Sequence, residues 1–385
     1  MPRLVRMTAG VLGLAAAALL WRALWAVPGA AGPLAYAYPP PATQTAAPPP
    51  GLVHLATSAA FSDTVAVIHA ASAVPIFSLT CGTCWRPFAA SPSAGTLSQI
   101  AVAPRADGTV RFLVAVNGQG LYRTGDAGQS WALQTFPHPG SCTEPDQFRD
   151  LIASPRDPRR LYLTVACAAA DPLGGADYYD VYTSPDSGLS WQLIRGGGQT
   201  GELWQAFTLA PSLAGRLYAL GRTGWAQSDD AGQTWQARSF PVLTLAVDAQ
   251  NPEWLYGLAL HGVAGDIGQR SQDGGLNWSE WANQPCPAAL DDKQLLAHPT
   301  EPAVLYLLCH QGLYRSRDGG DHWTQLSAER GERLLADLGR PGRLLWARAG
   351  GLWASTDAGD TWTVLVATWT QLTPCQFLYL PAVSN

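Results

Sequence analysis

Charge is what this sequence has least of. Lys and Arg number 24 and Asp and Glu 29 in 385 residues, so charged residues make up 14% and the formal net charge is −5. A slightly acidic chain without a basic excess lacks the electrostatic footprint that nucleic-acid binding needs, so nucleic acid is not expected as a partner. Signature motifs are missing as well. There is no phosphate-binding Gly-rich loop, no H-E-x-x-H pair and no G-x-S-x-G elbow, so the nucleotide, zinc-protease and serine-hydrolase chemistries that carry those marks are set aside. The histidines (His54, His69, His138, His261, His298, His310, His322) are scattered, and the CxxC of Cys81 and Cys84 has no second copy. No metal and no cofactor is therefore expected.

The chain is rich instead in turn residues and tryptophan, with Gly 39, Pro 30 and Trp 16 in a composition that is 47% hydrophobic. That profile fits a turn-rich, well-buried β protein. An octapeptide organises it, Ser/Thr-x-Asp-x-Gly-x-x-Trp. It occurs at Thr124–Trp131, Ser184–Trp191, Ser228–Trp235, Ser271–Trp278, Ser316–Trp323 and Ser355–Trp362, and an eroded copy, Ser78–Trp85, has Thr80 for the Asp. The Trp-to-Trp steps are 46, 60, 44, 43, 45 and 39 residues. A near-constant period in that range marks a β-propeller, one blade per repeat.

The octapeptide resembles the Asp-box, or BNR repeat, of the sialidase-like superfamily. Sialidases, sortilin-type receptors, some glucan hydrolases and the photosystem II assembly-factor propellers carry it, and the short blades here are closest in style to the assembly-factor-like and sortilin-type propellers. The resemblance implies an all-β, seven-bladed propeller of four-stranded antiparallel blades, with the box at the turn between strands three and four. Its structural residues would be Asp126, Gly128 and Trp131; Asp186, Gly188 and Trp191; Asp229, Asp230, Gly232 and Trp235; Asp273, Gly275 and Trp278; Asp318, Gly320 and Trp323; and Asp357, Gly359 and Trp362. The physics suits a folding device. Asp accepts hydrogen bonds from its own turn, Gly supplies a conformation other residues resist, and Trp is large enough to anchor blade packing.

Ahead of the repeats, Arg3 and Arg6 precede an uncharged, mostly apolar run, Met7–Leu20, and Ala35-Tyr36-Ala37 offers a cleavage site. Residues 1–37 therefore read as a signal peptide or an N-terminal membrane anchor. Residues 38–50 form a Pro-rich linker, residues 51–366 the propeller and residues 367–385 a C-terminal tail. Blades are expected at 51–90, 91–137, 138–196, 197–241, 242–284, 285–328 and 329–366. How such a ring closes is not evident, since blade one starts with its own inner strand and blade seven finishes its outer one.

The 60-residue step carries its excess in Phe136–Asp150 and Ala166–Asp180, expected as loops on the face opposite the boxes. Long loops on a rigid scaffold are where binding usually resides. The candidate binding residues on that face are Tyr178, Tyr179, Trp204, Arg222, Trp281 and Arg333. For an exported protein, internal symmetry pairs Cys142 with Cys167 and Cys286 with Cys309, while a short disulfide between Cys81 and Cys84 is expected to replace the missing carboxylate clamp of the eroded box, and Cys375 is left over, either free or reaching Cys81 or Cys84 to lock the tail. The sialidase resemblance also implies an arginine trio, yet Thr64–Ile76 contains no arginine where the first is expected. Acidic residues on the expected loop face, among them Asp150, Asp177, Asp180, Asp266 and Glu332, have no distinctive spacing, and no catalytic residue is assigned. The reading is an exported, extracellular or cell-surface, non-enzymatic monomer that acts as a binding or assembly scaffold for an unknown protein or glycan ligand, with a possible membrane tether through its N-terminus. A sialidase-like glycoside hydrolase is the first alternative and a lectin-like carbohydrate-binding propeller the second.

Overall fold

Every blade is one run of four consecutive strands. The computed structural model describes residues 52–69, 74–80, 82, 84–135, 147–168, 177–195, 204–210, 213–221, 224–238, 240, 242–260, 266–286, 293–348, 350–367 and 369. The chain divides into Met1–Ala47 and Pro48–Asn385, and all described residues lie in the second unit. The expected signal segment lies outside them. Among the described residues, 28 strands form seven four-stranded sheets, each paired antiparallel in chain order. This is a seven-bladed β-propeller.

First strands surround the axis. Segments of all seven (Leu52–Ser58, Thr96–Pro104, Gln147–Ala153, Trp204–Leu209, Thr244–Val247, Gln294–Ala297 and Gly331–Ala336) line one central cavity. Second strands such as Leu305–Cys309 are apolar and buried along their whole length, because neighbouring blades cover both of their faces. Fourth strands such as Ala132–Leu133 and Ser279–Glu280 are exposed rims.

Among the described residues the core is seven clusters, one for each blade-to-blade interface. The one that closes the ring joins Leu55, Val65, Val67, Ile76 and Trp85 of blade one to Leu345, Ala347, Leu352 and Val366 of blade seven, with Trp369 buried among them. Trp369 reaches this place from beyond the last strand, held by its N–H to the Gly350 carbonyl at 2.8 Å. Leu338 N–H donates to Thr57 Oγ1 at 3.0 Å, and Arg340 meets Asp63 at 2.7 Å. Side-chain packing and these ties close the ring, with no described strand exchanged between its ends.

The octapeptides form the turns between third and fourth strands. In Ser355–Trp362 the serine hydroxyl donates to Asp357 Oδ1 at 2.7 Å and accepts the Gly359 N–H at 2.8 Å. Asp357 in turn accepts the Thr361 N–H at 2.9 Å and its hydroxyl at 2.6 Å. The Thr124, Ser184, Ser228, Ser271 and Ser316 turns repeat the hydroxyl bridge, each donating to the Asp and accepting from the Gly. At Gly188, φ is +80° and an added Cβ would lie 2.2 Å from Leu113 of the preceding blade, so the turn is seated against its neighbour. One sequence expectation changes here. Asp230, not Asp229, clamps its turn, while Asp229 faces the Arg216 guanidinium. In the eroded copy the Thr80 hydroxyl takes the carboxylate's place, accepting the Cys84 N–H at 3.3 Å, while Ser78 accepts the Gly82 N–H at 2.9 Å. Cys84 is disulfide-bonded; its expected partner Cys81 and the Cys142–Cys167 pairing lie outside the described residues and side chains. Cys286 and Cys309 are joined in a disulfide.

These turns share a face with the turns between first and second strands. Ala231 N–H reaches the Gly215 carbonyl at 2.8 Å, and Gly319 N–H reaches Ala303 at 2.9 Å. Arginines stitch this face across blades. Arg111 donates to the Ser187 carbonyl of the next blade at 3.0 Å, and Arg315 to the Ala358 carbonyl at 2.8 Å.

Candidate functional site

A common register fixes which residues occupy one level of the channel. In every blade the second strand pairs one residue with the Ser or Thr that opens the turn: Val65, Phe112, Leu161, Leu217, Leu255, Leu305 and Leu344. Three residues further on, each second strand faces its inner strand at His54, Gln99, Asp150, Ala206, Thr244, Gln294 and Arg333. Six of these seven positions are polar. In five blades the inner strand carries a register shift at this same level, immediately before His54, Gln99, Ala206 and Arg333 and beside Asp150. Bulges of this kind bend a strand and re-aim its side chains, and they gather at binding sites.

Below this polar ring lies an apolar cavity of about 300 Å³. Its wall includes Leu55, Leu151, Leu245, Leu295, Leu335 and Leu338, and His54 and Arg333 are the ring members that line it. A few convergent polar groups over an apolar wall is the usual make-up of a small-molecule site.

The ring members divide into two kinds. His54 Nδ1 accepts the Ile100 N–H of the next blade at 3.3 Å. Gln294 makes the equivalent contact, its Oε1 accepting the Leu334 N–H at 2.8 Å. Those two tie adjacent blades. Burial, assisted by the Arg333 charge, holds His54 well below the usual histidine range, so its imidazole is neutral. Asp150 and Arg333 are different. Protein surrounds both, yet each is part-exposed, the condition of a group facing a channel. Burial pushes the Asp150 carboxyl up to about 6 against the opposing pull of Arg333 and Arg149. Arg333 Nε is buried without a partner, and Arg333 makes no ion pair or hydrogen bond among the described residues. Gln99 Oε1 is likewise buried and unmet.

Of the residues expected to bind, Arg333 reaches this site. Trp281 does not: it is buried at the interface of blades five and six, 5.2 Å from the Trp323 ring and lying across Gly268. Tyr178 and Tyr179 are not in a loop. They pair with Cys167 and Ala166 in a hairpin whose strands run Leu161–Ala168 and Asp177–Ser184, because the Asp177–Tyr182 stretch continues the ladder. Trp204 opens the inner strand of blade four, and Arg222 lies outside the described residues. Asp266, expected in a loop, begins a third strand and is buried against Lys293 at 3.1 Å. Among the described residues there is no group of three or more His, Cys, Asp or Glu side chains placed to hold a metal ion, and no helix long and apolar enough to cross a membrane.

No known family profile and no curated protein sequence matches the chain. Solved structures do. An ancestral GH74 enzyme superposes with a TM-score of 0.57 at 15% identity, over 84% of this chain and 48% of that one. A puromycin-hydrolyzing peptidase from Mycobacterium tuberculosis gives 0.55 at 13%, over 81% and 53%. YCF48 from Cyanidioschyzon merolae gives 0.50 at 11%, over 79% and 94%. The chain thus spans about half the length of the two enzymes and nearly all of YCF48. Similarity at this level establishes the propeller fold, and function rests on the site.

Proposed function

We propose that this protein is an exported, non-enzymatic Asp-box propeller that presents the loop face opposite its boxes as a binding or assembly surface. The observation that carries the reading is the state of the charged groups at the channel and at the loop-face end of the strands. Glycosidic cleavage needs two carboxylates facing each other across a bond, about 5–9 Å apart. Here Asp150 stands under the field of Arg333, and the Asp266 carboxylate is paired with Lys293. His54 and Gln294 are engaged in holding neighbouring blades. Export is supported by the basic-then-apolar N-terminus and by the disulfide chemistry of Cys286, Cys309 and Cys84, which oxidising compartments favour.

The test is hydrolysis by residues 38–385 on a panel of sialosides and β-glucans, read by mass spectrometry. The expected result is no released sugar from protein shown to be folded. Release would replace this reading with the glycoside hydrolase and direct mutagenesis to Asp150.

A further inference from the structure

We propose that the central cavity is a binding site for a small monocarboxylate with a hydrocarbon body, its carboxylate on Arg333 and its body against the leucine wall below. The inference is independent of the scaffold reading, since the cavity lies inside the ring and its ligand need touch none of the loops.

Three observations carry it. Arg333 lines the cavity, and its guanidinium has neither an ion-pair nor a hydrogen-bond partner among the described residues. An arginine in that position retains a full fork of donors for a carboxylate. The walls below are aliphatic, contributed by Leu55, Leu151, Leu245, Leu295 and Leu335 on five different blades. A sugar acid, which needs hydroxyl partners, is matched poorly there, and a hydrocarbon chain or ring is matched well. Size agrees, as about 300 Å³ is at the small end of ligand cavities and suits a body of six to ten carbons.

Asp150 supplies a built-in modulation. Ionised, it competes with the ligand for the field of Arg333; protonated, it leaves Arg333 free. The charged groups acting on it are Arg333 and Arg149. Thr164 faces it in register, and the flanking inner strands, Thr96–Pro104 and Trp204–Leu209, contain no titratable residue. Burial holds the His54 imidazole well below the usual histidine range. The carboxyl of a simple monocarboxylic acid titrates at about 4–5 and stays ionised through the window.

The experiment is calorimetric titration of the full chain with octanoate, with octanol as the isostere lacking charge. Octanoate is expected to saturate one site and to bind more tightly at pH 5.5 than at pH 8. Arg333→Leu should weaken octanoate by about 10- to 100-fold, the scale of a charge-assisted contact, and leave octanol unchanged. Asp150→Asn should tighten binding at pH 8 and flatten the pH dependence. Should Arg333→Leu not fold, Arg333→Gln and the octanoate–octanol ratio in the unsubstituted protein decide the matter. Absence of saturable octanoate binding, equal binding of octanol, or octanoate binding indifferent to Arg333 would each overturn the proposal.

Discussion

At the scale of the residue, the hydroxyl that opens each turn does more than its place in the motif reveals. Ser184 Oγ is fully buried, donates to Asp186 at 2.8 Å and accepts the Gly188 N–H at 2.8 Å. Removing it leaves a buried N–H unmet, and Ser184→Ala should destabilise the fold by about 1–3 kcal/mol. Chemical denaturation checks this, and Ser184→Thr should restore most of the loss, because Thr124 performs the same task in blade two. The Ser-x-Asp-x-Gly spacing is visible in the sequence, and the hydrogen bonds that run along it are visible in the structure. Both Asp229 and Asp230 stand as candidates in the sequence; in the structure Asp230 holds the turn and Arg216 engages Asp229. Trp281 was not legible. Its burial depends on Gly268, where an added Cβ would lie 1.8 Å from the indole, and that proximity across a blade edge leaves no mark in the spacing of either residue. Gln99 and Gln294 were missed for a related reason. Only the strand register, counted from the turn hydroxyl, places them beside Asp150 and Arg333.

At the scale of the element, the turns carry a pH signature. Hydrogen bonds within the turn hold Asp126, Asp230, Asp273 and Asp357 down at about 2, and Asp318 reaches about 2 by the same kind of contacts against a desolvation penalty. A carboxyl whose folded value lies below its unfolded value of about 3.9 stabilises the fold fully above that value. The contribution disappears as pH falls through about 2. Asp150 has the opposite sign, since its value of about 6 makes the folded state lose stability as pH rises between about 4 and 6. Denaturant midpoints should therefore fall steeply from pH 4 to pH 2, and Asp357→Asn should make that fall shallower by one proton's worth. Asp150→Asn should remove a decline between pH 4 and 6. A profile unchanged by either variant would show that these carboxyls titrate alike in both states. The Cys286–Cys309 bridge encloses a 23-residue separation on the loop face. In the chain-entropy account it contributes about 3 kcal/mol, so Cys286→Ser with Cys309→Ser should lower stability by that order under oxidising conditions and have no effect under reducing ones. The blades and their order could be read from the repeat. The inner-strand bulges could not, because a single extra residue leaves the hydrophobic pattern of a strand covered on both sides unaltered.

At the scale of the whole molecule, seven similar interfaces make a ring only if the last one holds. Six of them join consecutive blades and are formed locally along the chain. The seventh joins blade seven to blade one, across nearly the full sequence, and bears the loop-closure entropy of the ring. No described strand is exchanged to secure it; Trp369 fills it instead, 6.1 Å from the Trp85 ring and 5.4 Å from His69, with Thr57 and Asp63 tied to the neighbouring turn. The tail that looked like an appendage in the sequence thus supplies a core residue. Trp369→Ala removes one of the larger side chains in that cluster and should cost about 3–5 kcal/mol. The loss should also be localised. Hydrogen exchange in the variant should accelerate first in Phe61–His69 and Leu344–Arg348, the second strands on either side of the seam, while Leu305–Cys309 and Leu255–Leu260 stay protected. Equal acceleration in every blade would mean that the ring melts as one unit and that no interface is weaker than the rest. If the seam opens first, the channel opens with it, because Arg333 and His54 belong to the two blades that meet there. Octanoate, if it binds as proposed, would then protect those same two strands from exchange in the unsubstituted protein, linking the occupant of the cavity to the closure of the ring.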